Sequence, residues 1–361
     1  MNAAWIDHSD RLPIPGDHDP VGVDTEFMRR NTFYPQLALV QAAHAGEHWT
    51  LDPLAYDAGA DLRALVSGRV VVMHSASEDL EALAPLLGDA PLELFDTQIA
   101  AALCGMGPGL SYQNLLAAVL GVHIPKDETR SDWLQRPLTP SQLDYAEQDV
   151  AHLEALHEKL STGLHQRRRA AWHAEDCAKL VQRAQRDRTQ PDLQPQRSFP
   201  GAAGWPVEAQ VRLKRALLWR DQTARKLDRP RPWVLDDTHA VALSRQPPGD
   251  ARQLFERAKG QRALRGPQRA ELLALMQHPV TTEELAALQP IPPAPGGETK
   301  RAVDAMRAAV RTIAAGLDLP AGLLCPRRLI VEFAATRIWP AALQGWRAGV
   351  LQAELTPLLS A

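Results

Sequence analysis

Two carboxylates two residues apart, Asp24 and Glu26, stand in the apolar segment Val21–Phe27. Side chains alternate along a strand, so the pair shares one face. On a central strand the two would repel each other unless a cation neutralised them; at an exposed strand end they would need no partner. Tyr145 and Asp149 are four residues apart, one turn along one helix face. The plainer reading of that pair is a core tyrosine and a solvated aspartate. Asp79 falls in the first turn of a predicted helix, where a carboxylate also complements the helix dipole. Together these types could hold hard divalent cations, which prefer oxygen ligands. No His or Cys cluster points to zinc instead.

The first third of the chain alternates strand and helix signals. Val21–Phe27, Leu37–Ala43, Val70–Met73 and Leu92–Phe95 read as short strands. Ser75–Glu78 has the capping-box pattern and predicts a helix to about Leu87. Thr139–Gln142 is a second such box, with Pro140 at the first helical position, and predicts a helix to about Leu160. This mixture predicts an α/β domain around a central sheet. His74 and Asp96 end strands and read as structural, Asp96 as a hydrogen-bonding or capping residue. Gly105–Gly109 lacks the lysine of a phosphate-binding loop and reads as a plain loop. Beyond about Gly163 the chain reads as helical. Breakers at Pro191–Pro206 and Pro290–Gly297 separate its segments. Ala224–Pro230 aligns with Ala314–Pro320 at an offset of 90, matching Ala, Leu, Asp and Pro, which points to two related helical domains.

In order and context the acidic residues resemble the DEDD exonuclease superfamily, in its tyrosine-containing branch. Val23–Arg29, Thr32–Pro35 with Leu37 and Gln41, His74–Asp79, Phe95–Gln98, Ser131–Leu138 and Tyr145–Val150 are similar to ribonuclease D. Leu218–Ala224, Pro232–Leu235 and Leu343–Arg347 resemble the helical domain shared by helicases and ribonuclease D. The resemblance implies an α/β ribonuclease H-like catalytic domain with a central mixed sheet, followed by two all-α helical-bundle domains. The expected boundaries are 1–165 for the catalytic domain, 166–204 for a helix and linker, and 205–285 and 286–361 for the helical domains.

The resemblance also implies metal-dependent 3′→5′ hydrolysis of RNA to nucleoside 5′-monophosphates, in tRNA 3′-end maturation. Two divalent ions, Mg²⁺ or Mn²⁺, would be held by Asp24, Glu26, Asp79 and Asp149. Tyr145, with an ordinary pKa near 10, is a poor base at neutral pH, and its implied role is to orient the attacking water. Glu147 points off the Tyr145–Asp149 face and is not expected to bind metal. Lys126, Arg130 and Arg136, which flank Trp133, are candidate substrate-binding residues together with that tryptophan. The alternative is that Trp133 packs in the core and the basic residues are solvated. A single-stranded DNA exonuclease and a catalytically silent RNA-binding scaffold are the competing functions.

Composition agrees with a nucleic-acid partner without proving one. The 361 residues carry a net charge of −3. Residues 1–160 hold 9 Lys and Arg against 24 Asp and Glu, whereas residues 161–361 hold 31 against 19. The basic part is rich in arginine, with Arg212, Lys214, Arg215, Arg220, Arg225, Lys226, Arg229 and Arg231 around Trp219 and Trp233. Helical spacing predicts Trp219 inward and the arginines outward, available to RNA phosphates. The polar, acidic segment Met1–Asp10 is no signal peptide, and no run of 18 apolar residues could span a membrane. Three scattered cysteines form neither a disulfide framework nor a CxxC site. A cytoplasmic monomer is expected.

Overall fold

The structure, a computed structural model, describes residues 3–9, 12–14, 16, 18–124 and 131–360. They form two compact units: residues 1–28, 35–188 and 297–361 make up the first, and 29–34 with 189–296 the second. The fold is a mixed six-stranded sheet with many helices, including a helical C-terminal part.

The sheet of the first unit comprises β1 (Ala4–Ile6), β2 (Val21–Met28), β3 (Gln36–His44), β4 (Glu47–Leu51), β5 (Val70–Met73) and β6 (Glu93–Asp96). Their order is β1-β4-β3-β2-β5-β6. β3 runs antiparallel to β2 and β4, while β1–β4, β2–β5 and β5–β6 are parallel. β3 is buried from Ala38 through His44, as befits a strand covered on both faces. On β2 the alternation sorts two sets. Val21 and Val23 enter one core with α1 (Gly59–Val66) and α2 (Ser77–Leu87). Gly22, Asp24 and Glu26 lie on the opposite face.

That second face is covered by α3 (Thr97–Leu103), α4 (Tyr112–Leu120), α5 (Pro140–Ala151) and α6 (Leu153–Gln166). A Cβ on Gly22 would come within 3.0 Å of the Leu153 Cβ, so glycine lets the junction of α5 and α6 sit directly on β2. The box at Thr139 forms, with Thr139 and Gln142 bonding each other's backbone. The helix does not run unbroken to Leu160, however. It breaks at His152, where φ is −116° and ψ is 4°, and restarts as α6.

The box predicted at Ser75 does not form. Ser75 adopts φ +60°, and α2 has no side-chain cap of its own. Asp96 takes over: its carboxylate accepts from the backbone N–H groups of Ser75, Ala76, Gln98 and Ile99. One buried side chain thus caps α3 and fixes the turn leading to Asp79. Asp96→Ala would strand four donors, and we expect a loss of roughly 2–4 kcal/mol, read by urea unfolding. A loss under about 1 kcal/mol would contradict this account.

Further helices complete the first unit: α7 (Ala170–Thr189), then, after the second unit's α8 (Val207–Leu227), α9 (Arg231–Val234), α10 (Asp237–Arg245), α11 (Ala251–Arg257), α12 (Gly266–Gln277) and α13 (Thr282–Ala287), the C-terminal α14 (Gly297–Gly316), α15 (Ala321–Leu324), α16 (Arg327–Thr336) and α17 (Trp346–Leu355). Val303, Met306, Val310, Ile330, Phe333 and Leu351 share one apolar core with Leu103, Leu116 and Leu160. Asp176 on α7 pairs with Arg347 at 2.6 Å, and Trp172 stacks on Trp346 with centroids 4.4 Å apart.

The weak repeat in the sequence becomes plain in the backbone. Starting residues 207, 231 and 237 recur at 297, 321 and 327, each 90 later. Asp228 and Asp318 end the long helices in the left-handed region, at φ 47° and 50°, a conformation that aspartate tolerates better than most residues. The two then serve differently. In the second unit, Asp228 accepts from the backbone N–H groups of Phe33 and Tyr34 at 2.9 and 3.1 Å. In the first, Asp318 lies against Gly105, which has φ +84° and no room for a Cβ.

Candidate active site

Strand β2 presents Asp24 and Glu26 side by side, and α5 brings Asp149 to them. Ligand oxygens of these three lie within 4.8 Å of one another, in half-buried positions. Asp79 arrives from the start of α2. It is buried, and Thr25, which faces away from Asp24 on β2, donates its hydroxyl to Asp79 at 2.5 Å. The strand therefore touches all parts of the cluster: two carboxylates directly, Asp79 through Thr25, and Asp149 through the helix packed on it.

Such a cluster is electrostatically costly without a cation. Burial, and then the charges of Asp79, Asp149 and Glu26, push Asp24 well above the usual carboxylate range. Burial and the neighbouring Asp149 and Asp79 push Glu26 up to about 9. Burial likewise raises Asp149 and Asp79, each opposed by a hydrogen bond, from Tyr145 and Thr25 respectively. Tyr145 is hydrogen-bonded to Asp149, and burial followed by the charge of Asp149 drives its phenol further up. The hydroxyl stays protonated at neutral pH and serves as a donor.

Of the other candidates, Trp133 and Arg136 have their side chains engaged within the protein. Trp133 is only 3% exposed, packed with Leu39, Leu138 and Ala146, with its ring 6.0 Å from that of Tyr145. The Arg136 guanidinium makes a two-bond pair with buried Asp52, at 2.7 and 2.8 Å, and donates to the carbonyls of Ala38, Trp133 and Gln135. These bonds tie the 133–136 loop to Asp52 and Ala38. Lys126 and Arg130 lie outside the described residues. Glu147 accepts from the Ala3 N–H and pairs with His48 Nδ1 at 2.9 Å, which ties α5 to strands β1 and β4. His74 bonds Thr97 and the Leu110 carbonyl, a structural role.

In the second unit the arginines are less free than helical spacing suggests. Arg215 is buried and paired with Glu284, because α8 is covered on that side by α12 and α13. Arg220 pairs with Asp237, Arg225 and Arg231 both pair with Asp221, and Arg212 donates to the Ser244 carbonyl. Trp219 keeps its indole N–H on Glu271 at 3.1 Å.

Two residues near the cluster escape a reading of sequence spacing. Tyr112, buried at the start of α4, donates its hydroxyl to the Gln148 carbonyl at 3.3 Å, and its phenol is raised by burial and then by Asp149. Gln41, directly across from Asp24 on β3, is fully buried. Only strand register reveals its position. The signal available earlier was its place in the motif that follows Thr32–Pro35.

Comparison with known proteins agrees with this geometry. Residues 10–165 match the family model described as 3′-5′ exonuclease. The chain is 42% identical to ribonuclease D of Xanthomonas oryzae over 99% of its own length and 98% of the relative's. It is 31% identical to ribonuclease D of a Shewanella species, covering 93% and 88% of the two chains. Its fold superposes on the crystal structure of Escherichia coli RNase D, an exoribonuclease involved in structured RNA processing. That match has a TM-score of 0.82 and 26% identity, over 100% of this chain and 99% of the other. A strand bearing two carboxylates, a third from the first turn of a helix and a Tyr–Asp turn thus sit on a backbone shared from end to end with these nucleases, and the chain belongs to the ribonuclease D family of 3′→5′ exoribonucleases.

Proposed function

We propose that this exoribonuclease is metal-dependent, releases nucleoside 5′-monophosphates from RNA and matures the 3′ ends of tRNA precursors. The observation that carries the metal reading is the convergence of Asp24, Glu26 and Asp149 within 4.8 Å, half-buried and with raised pKa values. The donor set fits hard cations: carboxylate oxygens, no soft ligand, and repulsion that positive charge would relieve. Asp24, Glu26, Asp79 and Asp149 would hold two ions, Mg²⁺ or Mn²⁺. Bound there, the ions would supply a water of lowered pKa and neutralise charge at the leaving oxygen.

The chain's own residues supply the order. Thr25 holds Asp79, and Tyr145 holds Asp149 and directs its hydroxyl toward the attacking water. Trp133 and the Arg136–Asp52 pair keep Tyr145 in place. Tyr145→Phe should slow turnover on the order of 10–100-fold, the scale of one lost hydrogen bond to a charged or reacting group. Because the bond to Asp149 is lost with the hydroxyl, Mn²⁺ affinity by calorimetry should weaken as well, by roughly tenfold. A rate equal to wild type would remove Tyr145 from the mechanism.

The helical segments 205–285 and 286–361 are proposed as helicase-and-ribonuclease-D-type domains that hold RNA, with Lys126 and Arg130 as candidate phosphate contacts on the catalytic domain. The described processing of structured RNA by the Escherichia coli relative supports a tRNA precursor as substrate. A cytoplasmic monomer is part of the same reading. Its supports are three unpaired cysteines and, among the described residues, no helix long and apolar enough to cross a membrane.

Matched RNA and DNA oligonucleotides, labelled at the 5′ end and incubated with Mg²⁺ or Mn²⁺, test the proposal. A descending ladder on RNA with mononucleotide release, and faster trimming of a tRNA with a 3′ extension, is expected. Equal rates on DNA would favour the DNA exonuclease. Binding without hydrolysis would favour the scaffold.

A further inference from the structure

Gln41 is a polar side chain at the centre of the sheet with nothing to bond. Its exposure is 0%, and among the described residues neither its amide nitrogen nor its amide oxygen has a hydrogen-bond partner. Buried amides are satisfied almost without exception, because an orphaned one gives up its bonds to water and gains none in return. A position on β3 surrounded by Leu39, Val40, Ala42 and Ala43 would be filled more stably by leucine or methionine. The residue type therefore calls for a state in which the amide is used.

Register identifies that state. Gln41 pairs directly with Asp24 in the antiparallel ladder. Directly opposed residues point to the same face, with Cβ atoms about 4.5–5.5 Å apart. The flanking pairs confirm the side: Gly22 with Ala43 and Glu26 with Leu39. Ala43 lies in the core with Val150 and Leu153, and Leu39 in the cluster with Trp133 and Ala146, so this is the face covered by α5. Gln41 thus extends beneath α5 next to the one carboxylate crowded by all three others.

We propose that Gln41 is a positioning residue for the metal-loaded site: its Nε2–H donates to Asp24, leaving the other carboxylate oxygen to face the ion. An ionised carboxylate has ample lone pairs for both tasks, and a charge-assisted bond of this kind fixes ligand direction. The inference rests on the proposed metal function of the cluster. It adds that loading the site gives the amide nitrogen a partner that it otherwise lacks. Gln41 touches neither substrate nor ion.

The test is Mn²⁺ titration calorimetry on full-length Gln41→Met, a variant of similar volume without the amide. We expect the Mn²⁺ dissociation constant to rise roughly tenfold, the usual scale for losing a group that orients a ligand. The metal-free melting temperature should stay equal to wild type or rise, since an orphan is removed. Should Gln41→Met fail to fold, Gln41→Asn, which keeps the amide but shortens its reach, should show the same weakening. Affinity within twofold of wild type, in whichever variant is folded, overturns the proposal. Asp24→Asn separates this failure from that of the metal reading. If Asp24→Asn loses Mn²⁺ binding while Gln41→Met keeps it, only the role of Gln41 falls. If both keep it, the metal assignment itself falls.

Discussion

Asp24→Asn will cut exonuclease turnover on the order of 10³-fold or more and leave the protein folded and able to bind RNA. The rate loss follows from the position of Asp24 at the centre of the cluster. It is the carboxylate burdened by Asp79, Asp149 and Glu26 together, so any ion bound there depends on its charge. Losing several kcal/mol of transition-state charge stabilisation corresponds to that factor. Survival of the fold follows from the same crowding: an amide in place of Asp24 removes repulsion from a half-buried site. The variant's metal-free melting temperature at pH 8 should accordingly be no lower than that of wild type. Asp149→Ala should show the same separation of hydrolysis from binding. Single-turnover cleavage and filter binding on one RNA would decide; cleavage at the wild-type rate by either variant would remove these residues from the catalytic set.

Metal-free protein will become less stable as pH rises from about 5 to about 9, the reverse of a protein held by carboxylate ion pairs. The four acidic residues all have folded-state pKa values above their unfolded ones, chiefly through burial. Such a group binds more protons folded than unfolded. Its stabilising contribution is complete below the unfolded carboxylate range, near pH 4, and is lost as pH rises through the folded value. For Glu26 that value is about 9, so the window reaches into the alkaline range. A fall in melting temperature of roughly 5 °C or more is expected, at about 2–4 °C per kcal/mol for a domain of this size. Saturating Mn²⁺ should flatten the profile by holding the ionised form. Glu26→Gln should flatten part of it without metal, which separates the cluster from other titrating groups. Parallel profiles for wild type and Glu26→Gln in chelator would contradict the assignment.

The four acidic residues and Tyr145 were legible because their spacing maps onto elements that hold their shape locally. Asp24 and Glu26 need only a strand, and Tyr145 and Asp149 only one helical turn. Grouping them required the family resemblance, since nothing local says that α2 and α5 meet β2 at one point. Features governed by tertiary contacts stayed hidden. The Ser75 pattern promised a cap that does not form; Asp96, some twenty residues on, instead holds the turn that leads into the helix. An unbroken helical pattern concealed the break at His152. Arg215, placed outside by spacing, is drawn in by Glu284. Strand β1 has only three residues and β4 opens on the polar Glu47 and His48, so both are revealed by their pairing. Gln41 is the sharpest case, because its meaning depends on register between strands, which a single sequence does not display.

The shared core of the first unit has a consequence for how the molecule comes into being on a ribosome. The four acidic residues and Tyr145 all fall within the first 149 positions. The apolar layer behind α3, α4 and α6, however, is closed by residues as late as Leu351 and Leu355. A nascent chain therefore exposes its catalytic carboxylates long before it can finish the layer that steadies them. More than half of the polypeptide must emerge in between, including the whole of α8 to α13. The core of the nuclease is closed only once the segment 346–355 has been translated, and a stop codon before it would leave the acidic residues on an unfinished scaffold.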